Sequence, residues 1–155
     1  MSTSLAELQT LMVNEIPMAR AMQLSLREYD ADRLTISAPL APNINDKGCA
    51  FGGSLVSLMT LAGWGVVVLK LKDLGRKCDV YVQDSAVRYL APVWSDIVAV
   101  AQLADGETWD AFAQSLAQRG RARATVHCQV PLETGGDACT MQARFVAIAS
   151  NEMSR

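Results

Sequence analysis

The chain has a single histidine, His127, and no Cys-x-x-Cys pair: its four cysteines, Cys49, Cys78, Cys128 and Cys139, lie far apart. Too few nitrogen and sulfur ligands remain for a zinc site, so no metal is expected. His127 falls on the polar side of its stretch and reads as a solvated residue, which leaves no Ser-His or Cys-His catalytic arrangement. Excess charge of one sign is also missing. Fourteen Lys and Arg against sixteen Asp and Glu give a net charge of −2, so the balance gives no reason to expect nucleic acid. A composition that is half hydrophobic excludes a disordered chain. The first residues lack the basic start and apolar block of a secretion signal, so the expected location is cytoplasmic, with reduced thiols. There are no repeats, linkers or low-complexity segments, and 155 residues fit one domain, 1–155.

What the chain does have is one long run free of charge, from Ala50 to Leu69. Leu55, Val56, Leu58, Met59, Leu61, Ala62, Val66, Val67 and Leu69 leave no polar face, and a helix apolar all round must be enclosed by protein or by lipid. The run is long enough to span a membrane. Against lipid stand Gly52, Gly53, Ser54, Ser57, Thr60, Gly63 and Gly65 within it, and the strand-like segments on both sides, which need a shared core. The expected fold is therefore α+β: a curved antiparallel sheet wrapped around one long central helix, with an N-terminal and a small extra helix. Gly63 and Gly65 would each cost about 1 kcal/mol relative to Ala in an exposed helix. They make sense where sheet side chains or a second subunit press on the backbone.

The elements follow in order. Ser4-Leu5-Ala6-Glu7 fits a capping box opening an amphipathic helix that ends near Pro17. Met22, Leu24 and Leu26 alternate with polar residues as in a half-buried strand, Asp30-Ala31-Asp32 turns, and Leu34, Ile36, Ala38 and Leu40 alternate again, with Pro39 at the edge or end. Ala41 to Gly48 is a loop by its turn chemistry. The central helix finishes around Lys72–Gly75, with Gly75 as its cap. Val80 and Val82 share a face with Val87 and Tyr89 only if a bulge intervenes near Asp84-Ser85. Ile97 to Leu103 is a strand, Glu107-Thr108-Trp109 opens a helix that Gly120 stops, and Ala122–Val130 and Met141–Ala147 are the last two strands.

A helix preceded by Gly-Gly presents unpaired amides at the positive end of its dipole, a place to hold a negative oxygen. At these residues the chain resembles the hotdog superfamily of acyl-thioester enzymes. Their pattern Asn-x-x-Gly-x-x-His-Gly-Gly is met by Asn45-Asp46-Lys47-Gly48-Cys49-Ala50-Phe51-Gly52-Gly53. Further segments, Pro42–Gly48, Phe51–Leu55, Leu61–Gly65, Val87–Val93 and Gly120–Arg123, look like the family of thioesterase-like domains that occurs alone or fused behind a GNAT-type acetyltransferase. That family is associated with decarboxylation of malonyl-acyl carrier protein, which supplies acetyl primer for fatty-acid synthesis.

The resemblance implies that Asn45 and the Gly53 amide lie at the reacting thioester, and that Asn43, Phe51, Gly52 and Ser54 contact the substrate. Phe51 stands where many hotdog thioesterases have histidine. Thr60 stands where many have the Asp or Glu that activates water, and a threonine cannot be a carboxylate base. Hydrolysis leans on such a base. Decarboxylation of a malonyl thioester needs donors on the thioester oxygen and a poorly solvated carboxylate instead. Decarboxylation is therefore the favoured reaction, with Thr60 orienting a water or the substrate. Thioester hydrolysis is the alternative, with Asp46 or Asp84 as base, and a non-catalytic acyl-binding or dimerisation domain the second alternative. Asp46 otherwise reads as a loop residue bonding its own backbone, Asp84 as satisfying the bulge, and Cys49 as a small buried filler. Arg121 and Arg123, with Arg119, Arg76 and Lys77, form a basic concentration suited to pantetheine phosphates or to an acidic acyl carrier protein. Beyond phosphopantetheine as the substrate's carrier no cofactor is implied. The resemblance further implies a homodimer or larger assembly, and no membrane partner.

Overall fold

The computed structural model describes residues 2–150. Helix α1 (Thr3–Glu15) buries Leu5, Leu8 and Met12 on one face. Its cap is Ser2, not Ser4: the Ser2 hydroxyl accepts from the Leu5 amide at 3.3 Å, and the Ser2 carbonyl already receives the Ala6 amide. The expected strand at Met22 is corrected too. Pro17 opens a second helix, α2 (Pro17–Met22), because proline suits a first helical turn whose N–H has no partner to lose. Gln23, at φ 56°, ends it, and strand β1 (Ser25–Asp30) begins only afterwards. Leu24 and Leu26 are buried as the alternation requires.

Strand β2 (Arg33–Ala38) returns antiparallel to β1 through Ala31 and Asp32, both at positive φ. Ala41–Asn43 is a short 3-10 turn, and the chain then enters α3 (Gly52–Asp73), the central helix. Gly75, at φ 66°, ends it as expected: its amide donates to the Lys72 carbonyl while Arg76 donates to Leu71, a Schellman closure. Strands β3 (Cys78–Tyr89) and β4 (Ile97–Leu103) follow. Next come α4 (Trp109–Arg119), capped by the Thr108 hydroxyl and stopped by Gly120, then β5 (Arg121–Pro131) and β6 (Asp137–Ala149).

The six strands form one antiparallel sheet in the order β1-β2-β4-β5-β6-β3. Helix α3 packs against β2 through β6 and buries Leu55, Leu58, Met59, Ala62, Val66, Val67, Leu69 and Leu71. This is the hotdog arrangement. By length and apolarity α3 passes for a membrane span, but its side chains belong to the core that the sheet encloses. The β3 register shifts between Val82 and Asp84, so Gln83 is the extra residue, one position before the expected bulge. It returns Val87 and Tyr89 to the face of Val80 and Val82, opposite the buried Met141, Cys139, Ala147 and Phe145. Yet Val82 and Tyr89 are about half exposed. β3 is an edge strand, and its inner face is only partly covered there within the described chain.

Candidate active site

The loop before α3 is folded tightly on itself. Ile44 and Ala50 form an isolated antiparallel bridge, the Asn45 amide donates to the Cys49 carbonyl at 2.8 Å, and Phe51 donates to the Asn43 carbonyl at 2.7 Å. The Ala50 amide reaches the Val93 carbonyl at 2.8 Å, fastening this loop to the β3–β4 connection. Asn43 was expected to touch substrate, but it is 2% exposed, and its Nδ2 donates to the Met22 and Pro39 carbonyls at 3.0 and 2.8 Å. Both amide hydrogens are spent inside the protein, so Asn43 clamps the loop.

Asn45 is different. Its Oδ1 accepts from the Lys47 amide at 2.8 Å, and its Nδ2 donates to the Cys49 sulfur at 3.2 Å. A backbone N–H can only donate, so the atom facing Lys47 is the oxygen and the nitrogen faces Cys49. A carboxamide nitrogen carries two hydrogens, so Asn45 has one donor left for a ligand.

The helix that follows begins without a side-chain cap; Phe51 is the N-cap residue and Leu55 supplies the first amide bonded back to it. The Gly52, Gly53 and Ser54 amides are the unpaired donors of the first turn, and no acidic residue stands in that turn. The side chains nearest the glycines are Phe51 and Tyr89. A Cβ built on Gly53 would clash with the Phe51 ring, and one on Gly52 would lie 3.4 Å from the Tyr89 ring. The Tyr89 hydroxyl donates to the Gly52 carbonyl at 3.4 Å. Phe51 therefore lies against Gly53 as a cover, and a movable one, because it is 54% exposed. Ile44, Leu90 and Trp94 are also more than half exposed. Tyr89 is not among the expected site residues. Its place over the glycines follows from the Gln83 bulge, the only signal in the sequence that puts it on this face.

Thr60 lies two turns further into α3. Its hydroxyl donates to the Val56 carbonyl of its own helix at 2.8 Å and sits 3.8 Å from the Met141 sulfur. The two carboxylates considered as alternative bases are on the surface. Asp46 pairs with Lys47 at 3.1 Å and Asp84 with Arg144 at 3.6 Å. Among the described residues no cluster of His, Cys, Asp or Glu could hold a metal.

Arg121 and Arg123 are not brought to Asn45 within one chain. They alternate with the buried Ala122 and Ala124 and so face outward. They line a concavity of about 370 Å³ against α4, with Arg119, Glu107 and Ser115, and Arg123 Nε donates to Gln83 at 3.0 Å. Through β6, Arg123 is level with Tyr81, eight residues from Tyr89, or about 26 Å along the strand.

The profile of the family described as "Putative thioesterase (yiiD_Cterm)" matches residues 5–149. The chain belongs to this family. A structure of a "putative thioesterase" from Shewanella oneidensis is 32% identical over 96% of this chain and 99% of that one, with a TM-score of 0.85. A protein of unknown function from Chlorobaculum tepidum is 28% identical over 96% and 100%, with a TM-score of 0.87. A thioesterase from Haemophilus influenzae, 16% identical over 100% and 97% with a TM-score of 0.74, shares the fold. Membership makes the family member described here a hotdog-fold protein of the thioesterase superfamily, a class that acts on acyl thioesters.

Proposed function

We propose that the protein decarboxylates a malonyl thioester to the acetyl thioester, with the substrate carried on the phosphopantetheine of acyl carrier protein or of CoA. One observation carries the choice: where a hydrolase of this fold would hold a carboxylate, Thr60 stands with its hydroxyl committed to the Val56 carbonyl. The loop and helix start offer donors, the free Nδ2 hydrogen of Asn45 and the first-turn amides, but no base. In the reaction the bond between the α-carbon and the carboxylate breaks and CO2 leaves. The electron pair moves onto the thioester oxygen as an enolate, and the α-carbon then takes a proton from solvent. Asn45 and the Gly53 amide hold the charge that develops on that oxygen. Ser54, in the same first turn, and Phe51 complete the substrate contacts, and Phe51 swings away from Gly53 to admit the acyl group and shield the carboxylate from water. With its hydrogen given to Val56, Thr60 keeps only its oxygen lone pairs with which to orient a water or the substrate.

A second copy completes the site. β3 is a 12-residue strand at the end of the sheet order, with no further strand beside it among the described residues and with Tyr81, Val82 and Tyr89 about half exposed along it, and such an edge is a template for another strand. Antiparallel pairing of two β3 strands sets the Tyr89 end of one copy beside the Cys78 end of the other. That brings the partner's arginine-lined end toward this copy's glycines, where Arg121 and Arg123 meet the phosphates of the carrier arm.

Hydrolysis of acyl thioesters is the competing reading, favoured by the family's description. One experiment separates the two: incubate the protein with malonyl-, acetyl- and longer acyl thioesters of CoA and of acyl carrier protein, and measure CO2 and free thiol independently. CO2 with an intact acetyl thioester is expected. Free thiol from simple acyl thioesters overturns the proposal in favour of hydrolysis, and no turnover of any thioester leaves an acyl-binding domain.

A further inference from the structure

The loop 45–49 is closed twice by the same two residues. The Asn45 amide donates to the Cys49 carbonyl at 2.8 Å, and the Asn45 carboxamide donates to the Cys49 sulfur at 3.2 Å. With Oδ1 held by the Lys47 amide at 2.8 Å, the carboxamide is fixed at both ends. Its plane cannot rotate without breaking one of these bonds. Cys49 is 5% exposed, so water cannot readily take the place of its sulfur as acceptor.

We propose that Cys49 is a positioning residue: its sulfur fixes the Asn45 carboxamide so that the one remaining Nδ2 hydrogen points at the substrate oxygen. The inference deepens the decarboxylase reading and rests on Asn45 being the donor in it. It gives Cys49 a role that is neither nucleophilic nor merely space-filling. A thiol accepts weakly, so the sulfur directs the carboxamide without competing strongly for its donors. The thiol stays chemically unchanged through the reaction.

The test uses the full-length protein and two substitutions. Cys49→Ser keeps an acceptor at this position, and Cys49→Ala removes it while leaving a comparably small side chain. With malonyl thioester as substrate, Cys49→Ala is expected to lower kcat about three- to tenfold, the effect of one lost hydrogen bond, with KM little changed. Cys49→Ser is expected to restore most of that loss. Equal impairment of the two variants, or full activity in Cys49→Ala, overturns the proposal. The second readout is independent of turnover: in ¹⁵N-resolved NMR spectra, one of the two Nδ2 protons of Asn45 is expected to exchange slowly with solvent in the wild type and Cys49→Ser but not in Cys49→Ala. Solvent-like, rapidly exchanging Asn45 protons in the wild type overturn the inference even if CO2 is released. Absence of CO2 release with those protons held as expected overturns the decarboxylase reading alone.

Discussion

Gly63 and Gly65 sit in the enclosed middle of α3, Gly52 and Gly53 at its open start, and the two pairs meet different surroundings. A Cβ on Gly63 would lie 2.8 Å from the Phe145 ring and 3.2 Å from the Cys128 sulfur, and one on Gly65 2.7 Å from Leu34. Phe145 and Leu34 are both fully buried, so neither can give way. At Gly52 and Gly53 the neighbours are Tyr89 and Phe51, both more than half exposed. The inner pair lets a sheet close on a helix. The outer pair leaves amides reachable beneath a side chain that can move. One residue type on one helix thus serves packing at one end and, in the proposed reaction, chemistry at the other.

The largest effect expected from this contrast belongs to the open end. Asn45→Ala removes the side-chain donor and is expected to lower kcat for CO2 release by roughly 10²–10³-fold, the range for loss of one oxyanion donor. Stability should fall only modestly in thermal unfolding, because the Lys47 amide that loses its acceptor is exposed to water and the Asn45–Cys49 backbone bond remains. A fully active variant would remove Asn45 from the site.

Gly53→Ala sharpens the contrast. The new methyl displaces the Phe51 ring, which has solvent to move into, and alanine is the better helix former by about 1 kcal/mol. The expected result is a protein at least as stable as the wild type whose activity falls roughly ten- to a hundredfold, the scale of an ångström-sized misplacement at a reacting group. Gly63→Ala should do the reverse. Overpacking a closed core costs about 1–3 kcal/mol, partly offset by helix propensity, so denaturant midpoints should drop while turnover per folded molecule is kept. If Gly53→Ala destabilised and Gly63→Ala did not, the assignment of the two pairs would be inverted.

How much of this was legible in the sequence depends on which physical signal was involved. Period-two alternation in β5, the Gly75 and Gly120 stops and the charge-free run all speak of local conformation and of which face is apolar, and they held. The bulge in β3 was legible for the same reason, since parity fails without it. Pro17 misled because proline ends one helix and begins another equally well, and the residues around it do not say which. Whether an apolar face is covered depends on the neighbours in the sheet, so the half-exposed inner face of β3 could not be read from Val82 or Tyr89. The site divides in the same way. Gly52 and Gly53 announce bare amides through their spacing, whereas the clamping role of Asn43 and the Asn45–Cys49 contact depend on how the loop before α3 folds back.

The smallest expected effect lies at the closed end, beneath Gly63. Burial pushes the Cys128 thiol up to about 12 from an ordinary 9.0, with a bond to the Gly63 backbone pulling slightly the other way. A raised folded-state value means that the folded protein holds its proton longer than the unfolded chain does. Stability from this group is therefore full below about pH 9 and is lost progressively as pH climbs toward 12. Urea midpoints measured on wild type and on Cys128→Ala should converge as pH rises through that window. Native Cys128 should also resist iodoacetamide at pH 9 while the half-buried Cys78 reacts. The closed end is as closed as the geometry says only if Cys128 labels at the rate of global unfolding. Gly63→Ala, by crowding that sulfur, should raise the labelling rate in step with its loss of stability, whereas Gly53→Ala should leave it where it was.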